Sequence, residues 1–195
     1  MTQFTFRLNV STQFTKSLLI TFNLSGSFND RKGYGPGVTP ESYATQTSRA
    51  IPAYDENGEY VFYKQYYNYQ LNRTGQLEYG YNILNEMENS YSKNNSKNFN
   101  VSVNADWSIT DWLKYQFVGS IAYSINNSES FAGEKTSYIE QNYRGYAYGS
   151  ETSGSAKFKA ALLPFGGELA TNATSNTSYN MQHKVVFSKT INEIH

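Results

Sequence analysis

The chain has 195 residues and no cysteine, which excludes disulfides and thiolate metal sites. Its 16 basic and 16 acidic residues cancel, so no charge argument points to nucleic acid or to a strongly charged partner. A hydrophobic fraction of 38%, a mean hydropathy of -0.63 and no long apolar run exclude a membrane helix. They do not exclude a membrane barrel, because half of every barrel strand faces a polar lumen.

The start, Met1-Thr2-Gln3-Phe4, lacks a basic region followed by an apolar one, so no secretory signal is expected in this stretch. The chain is expected either to stay inside the cell or to be an internal piece whose signal lies elsewhere. Tyrosine (18) and phenylalanine (12) are abundant and accompany many Asn and Ser, a composition suited to exposed β-structure and long binding loops.

Phe4, Phe6, Leu8 and Val10 alternate with Thr5, Arg7, Asn9 and Ser11, which predicts a strand near 3–11 with one apolar and one polar face. After a polar corner, Leu18, Ile20, Phe22, Leu24, Gly26 and Phe28 predict its hairpin partner near 18–29. Residues 30–97 show no sustained alternation and are expected to form a long loop. Within it, Leu77, Tyr81, Leu84 and Met87 fit a short helical stripe.

Alternation is strongest next. Phe99, Val101, Val103, Ala105, Trp107 and Ile109 predict a strand near 98–110; the corner Thr110-Asp111-Trp112 follows, and Leu113, Tyr115, Phe117, Ile121 and Tyr123 predict a strand near 113–126. A second long polar connection, near 127–177, precedes a fifth strand near 178–190 through Tyr179, Met181, Val185 and Phe187. The domain expected over 1–195 is thus all-β: about five strands in hairpins, with short and long connections in turn.

Strands near the roughly 9–11 residues that a tilted strand needs to cross a bilayer, with short turns alternating with tall loops, match a transmembrane β-barrel with short periplasmic turns and long extracellular loops. On this reading Phe99, Val101, Val103, Trp107, Trp112, Tyr115, Phe117 and Ile121 face the membrane, with the two tryptophans at girdle height beside a short turn. A soluble sandwich would show the same alternation, but seldom with connections this long.

Particular words then point to a family. Tyr81-Asn82-Ile83-Leu84-Asn85-Glu86-Met87-Glu88-Asn89, followed by Phe99-Asn100-Val101 and Trp107-Ser108-Ile109-Thr110-Asp111-Trp112-Leu113, resembles the barrel of SusC/RagA-type TonB-dependent transporters. Phe131-Ala132-Gly133-Glu134 and Leu163-Pro164-Phe165-Gly166-Gly167-Glu168 resemble the same family further along. The resemblance covers nearly the whole chain and concerns the mid-barrel region.

It implies a plugged, many-stranded outer-membrane barrel of Bacteroidetes type. Such a barrel imports glycans or peptides with a SusD-like surface lipoprotein and energy from TonB. Signal peptide, TonB-contacting segment, plug and most strands of that family are missing here. Five strands cannot close a barrel, and in lipid each unpaired backbone group costs several kcal/mol. The chain is therefore expected to be a fragment, inactive by itself.

Candidate sites are few. Tyr60, Tyr63, Tyr66, Tyr67 and Tyr69 form a dense aromatic run that could stack on sugar rings, the plainer expectation being loop-to-loop packing. Asp55-Glu56-Asn57-Gly58-Glu59 lacks the ligand spacing of a calcium loop and reads as a turn. Gly33-Tyr34-Gly35-Pro36-Gly37 lacks the context of a phosphate cradle and reads as a flexible loop. Glu86 and Glu88 read as a solvated face, and His183 as a strand residue near a membrane boundary.

No catalytic residue, metal site or cofactor is expected. The leading expectation is part of an outer-membrane nutrient importer, whose partners are outer-membrane lipid, the lipoprotein, the TonB system and a glycan or peptide. The alternative is a soluble Tyr/Asn-rich β-module that binds carbohydrate.

Overall fold

The computed structural model describes residues 1–68 and 76–189. The chain is mostly antiparallel β-sheet. In order it forms β1 (Thr2–Thr15), β2 (Leu18–Gly33), α1 (Pro40–Gln46), β3 (Tyr63–Asn68), β4 (Gln76–Tyr81), α2 (Ile83–Asn89), β5 (Ser90–Thr110) and β6 (Leu113–Ala132). Then come α3 (Ser137–Ile139), which continues into a π-helical turn (Glu140–Arg144), α4 (Ala156–Ala160) and β7 (Glu168–Phe187).

A five-stranded sheet has the order β1-β2-β5-β6-β7, and β3 pairs with β4 separately. The chain divides into two compact units: Met1–Arg31, Asn94–Asn127 and Ala173–His195 make a sheet unit, and Lys32–Lys93 with Ser128–Asn172 make a loop unit.

In the sheet unit, period-two alternation sets the two faces. Phe4 pairs across to Phe28, Leu8 to Leu24 and Val10 to Phe22, so apolar side chains meet apolar side chains. Phe28 meets the ring of Phe99 edge-on at 5.4 Å, which carries this face onto β5. Across the later strands, Trp112 packs on Phe187 at 5.1 Å, and Tyr115 shares a 2.6 Å hydrogen bond with His183 Nδ1.

The opposite face is a hydrogen-bonded polar surface. The Asn9 amide donates to Asn23 Oδ1, the Asn23 amide donates to Ser102 Oγ at 3.1 Å, and the Gln116 amide donates to Asp106 at 2.7 Å. Two hollows of about 350 and 340 Å³ lie along it, lined mainly by residues such as Arg7, Ser25 and Asn100 or Asn104, Gln116 and Lys184.

No large apolar side chain of the sheet unit is buried among the described residues. Phe4 is 59% exposed, Ile121 51% and Tyr179 73%. The buried apolar residues, among them Val38, Ile83 and Ile139, all belong to the loop unit.

Several expectations are corrected here. The stretches near 30–97 and 127–177 are not structureless. β5 begins at Ser90 rather than near 98, β6 runs on to Ala132, and β7 begins at Glu168 rather than near 178. Ser90–Lys97 and Glu168–Thr177 show no sustained apolar alternation, and alternation reports an apolar environment, whereas backbone pairing needs none. Local contacts support the β5–β6 extension: Tyr91 packs its ring on Phe131 at 5.3 Å, and Lys93 approaches Glu129 at 3.7 Å.

The expected helical stripe is also split, with Leu77 and Tyr81 in β4 and Leu84 and Met87 in α2. The cause is Asn82, whose Oδ1 accepts from the backbone N–H of Leu84 at 2.9 Å and of Asn85 at 3.3 Å, so the helix starts only after it.

The glycine-rich 33–37 stretch is a tight turn with Gly35 buried, not a flexible loop. A Cβ at position 35 would run into the Ser90 side chain and lie 2.8 Å from the Tyr91 backbone nitrogen, so only glycine fits the close approach. Asp55–Glu59 is a turn as expected: Asp55 Oδ1 accepts from the N–H of Asn57 and of Glu59, each at 2.8 Å.

Candidate functional site: a tyrosine-lined hollow

The loop unit holds a hollow of about 490 Å³, within the usual size range of small-ligand sites. Three pieces of chain build it. Pro40 opens α1 at a position where its fixed φ suits a helix start, and the helix presents Tyr43 and Gln46. The β3–β4 register sets Tyr63 opposite Tyr81 and Gln65 opposite Tyr79, so alternate residues of both strands share one face. The segment entering the π-helical turn adds Tyr138 and Gln141.

Tyr43, Tyr63 and Tyr81 form a triangle of rings with centroids 5.7–6.3 Å apart and planes inclined by 35–67°. A polar chain orients two of the tyrosines: the Tyr79 hydroxyl donates to Gln65 Oε1 at 2.8 Å, and Gln65 Nε2 donates to the Tyr63 hydroxyl at 3.0 Å. Tyr63 accepts in this bond, which does not use its own hydroxyl proton.

Burial, followed by the nearby Glu86 charge, pushes the Tyr81 phenol up, while burial, followed by Tyr63, raises Tyr43. These groups therefore stay neutral donors at any physiological pH. Among the described residues, no side chain lining the hollow carries a charge, and Ile51 is the only purely aliphatic one.

The walls are held by a buried polar cluster. Both oxygens of Glu86 accept from the Ser137 backbone N–H, at 3.0 and 3.1 Å, and Asn85 adds an amide donor at 3.3 Å. Glu140 Oε1 accepts from the Tyr148 backbone N–H at 2.6 Å. Burial above all raises Glu140 to about 7; the Tyr148 bond opposes this, the Glu86 charge adds to it and Arg144 opposes it. Glu86 is likewise raised by burial, against the hydrogen bonds that Ser137 and Asn85 give it.

The expectation of a solvated Glu86–Glu88 face is thus corrected. Glu86 is 1% exposed beneath α2, and only Glu88 meets solvent.

Of the predicted aromatic run, only Tyr63 is known to line the hollow. Tyr60 is outside it, stacked on Tyr54 at 5.3 Å across an isolated bridge, so for this residue packing of loop on loop is what is found. Tyr66 and Tyr67 lie in β3, opposite Glu78 and Leu77, and Tyr69 lies outside the described residues. Tyr43, Tyr79, Tyr81 and Tyr138 were not foreseen as site residues. The one signal that could have found two of them is the spacing Tyr79-Gly80-Tyr81, a period-two pair suited to one strand face.

Phe99, Val101, Val103 and Trp107 stand in β5, Trp112 in the β5–β6 turn, and Tyr115, Phe117 and Ile121 in β6. Trp107, Trp112 and Ile121 are exposed and the others half-buried. His183 lies in β7 as expected of a strand residue. Among the described residues no cluster of three or more His, Asp or Glu could hold a metal ion.

No family model and no curated protein matches the chain. Three of the quoted words, those at 81–89, 131–134 and 163–168, meet within the loop unit. The Gly133 N–H donates to the Asn89 carbonyl at 2.8 Å, and the Gly166 N–H donates to Glu134 Oε2 at 3.2 Å. Their side chains and glycines thus serve to pin three connections together.

Proposed function

We propose that this chain is a section of the wall of an outer-membrane nutrient importer of the SusC/RagA-type TonB-dependent kind. The observation that carries the reading is the uncovered apolar face of the five-stranded sheet, opposite a face of hydrogen-bonded polar side chains. Lipid is the partner that such a face suits, and a polar lumen suits the other. Strands of 14–21 residues are long enough to cross a bilayer even when tilted.

The alternation of connections supports the same reading. Short turns join β1 to β2 and β5 to β6, whereas long folded segments join β2 to β5 and β6 to β7. The edges β1 and β7 have unpaired sides, which further strands of a closed barrel would satisfy. On this reading the loop unit contributes the substrate hollow, and no residue performs covalent chemistry. A SusD-like lipoprotein, the TonB system and a glycan or peptide substrate complete the proposed assembly.

The hollow alone would also suit a soluble carbohydrate-binding module. Site-directed spin labels at 101–106, in protein reconstituted into bilayers, separate the two. A membrane wall gives oxygen-accessible labels at Val101, Val103 and Ala105 and water-accessible labels at Ser102, Asn104 and Asp106. Uniform water accessibility, with a monomer that is soluble without detergent, would overturn the importer reading.

A further inference from the structure

The tyrosine hollow points to a ligand more specific than a glycan or peptide in general. We infer that it binds an uncharged saccharide, with Tyr43, Tyr63 and Tyr81 as the stacking surface and Gln65, Gln141 and the Tyr63 hydroxyl as the hydrogen-bonding rim. The inference rests on the hollow itself and holds whether or not the sheet meets lipid.

Three features of the lining select this class. First, the tilted ring triangle offers aromatic faces, and a tyrosine face takes the apolar C–H side of a pyranose while its hydroxyl serves the ring's hydroxyl edge. Second, the remaining lining is amide and hydroxyl groups that both donate and accept, which matches a polyol. With Ile51 the only purely aliphatic side chain among the described lining residues, these form no aliphatic pocket to anchor an apolar peptide residue.

Third, the described lining offers no charged partner of either sign. Among the described residues no lysine or arginine lines the hollow to receive a uronate or sulfate. The Glu86 and Glu140 carboxyls act on Tyr79, and that of Glu86 on Tyr81, in the sense that disfavours an anion. An anionic sugar would lose its hydration shell there without gaining a partner. Among the described lining residues no carboxylate receives the ammonium of a cationic sugar, and the nearby Glu86 carboxylate is already held by the Ser137 N–H.

The test is calorimetric titration of the full chain in detergent micelles. The probes are neutral hexasaccharides (α-glucan, β-glucan, β-mannan and β-galactan), with hexagalacturonate, a chitosan hexamer and a neutral Gly/Ala peptide for comparison. At least one neutral saccharide is expected to saturate, with the charged sugars and the peptide about tenfold weaker or more. Tyr81→Ala and Tyr43→Ala should each weaken that binding about tenfold, whereas Tyr81→Phe should keep most of it and Tyr54→Ala, outside the hollow, should leave it unchanged.

Tyr43 is half-buried on a surface helix, so its variant remains informative if Tyr81→Ala fails to fold. No saturation by any neutral probe below about 10 mM, tighter binding of a charged sugar or of the peptide, or an equal loss in Tyr54→Ala would overturn the assignment. A soluble monomer that binds the neutral saccharide would uphold it while overturning the importer.

Discussion

The carboxylate of Glu86 reaches across 51 residues of sequence to hold the backbone N–H of Ser137 with both of its oxygens, at 3.0 and 3.1 Å. This contact joins α2 to the segment that brings Tyr138 and Gln141 to the hollow. Glu86→Ala would leave that N–H buried without its acceptor, while the Asn85 amide keeps its bond to the Lys135 carbonyl at 3.0 Å, at a cost of about 1–3 kcal/mol. Glu86→Gln keeps one acceptor oxygen and should cost less. Hydrogen exchange followed by mass spectrometry should show lost protection over 136–144 with strands β1 and β2 unchanged; equal protection in wild type and Glu86→Ala would refute the role.

The loop unit should be more stable in mild acid than at neutral pH. Glu140 is raised from 4.5 to about 7, mainly by burial, so the folded state holds a proton that the unfolded state has already released. A raised carboxyl contributes most below its unfolded pKa, and this contribution is lost as pH rises from about 4.5 through about 7, for a total of about 2–3 kcal/mol. Glu86, raised by burial, acts in the same direction. Proteolytic susceptibility of 133–167, measured from pH 4.5 to 8, should rise across that window. Glu140→Gln, which keeps an acceptor for the Tyr148 N–H, should flatten most of the slope; an unchanged slope would place the titration elsewhere.

Opposite faces of one strand should respond oppositely to charge. Val103→Arg puts a cation on the apolar face of β5 and should cost about 2–4 kcal/mol if that face lies at the bilayer midplane. Asn104→Arg, on the polar face beside Gln116 and Lys184, should cost far less. Urea unfolding in liposomes measures both, and equal effects would argue against lipid contact at Val103.

Gly167 should resist even the smallest substitution. A Cβ there would collide with the Ala132 carbonyl oxygen and lie 2.9 Å from Gly133 Cα, both backbone atoms that no rotamer change can move. Gly167→Ala should destabilise the loop unit by about 1–3 kcal/mol. Gly154→Ala, which meets open space, serves as the control. Similar melting of the two variants in the loop unit would count against a tight crossing at 132–133.

The strand pattern of the sheet unit was legible because alternation is a local property: within Phe4–Val10, Ile20–Leu24, Phe99–Ile109 and Leu113–Phe117 apolar residues recur at every second position. The strand ends were not legible. Ser90–Lys97 shows no sustained apolar alternation, and its extended form depends on backbone partners supplied by other segments. The candidate site was barely legible. The aromatic run containing Tyr60 and Tyr63 drew attention by density, yet density does not reveal which rings share a face.

The sequence by itself determined that this protein is built of long two-faced strands joined by short and long connections in turn, because a period of two fixes side-chain direction residue by residue. Tertiary structure alone decided the site. Tyr43, Tyr63, Tyr81 and Tyr138 come together only when α1, the β3–β4 pair and α3 enclose one hollow, and a buried carboxylate that finds its donor 51 residues away leaves no periodic trace in the chain.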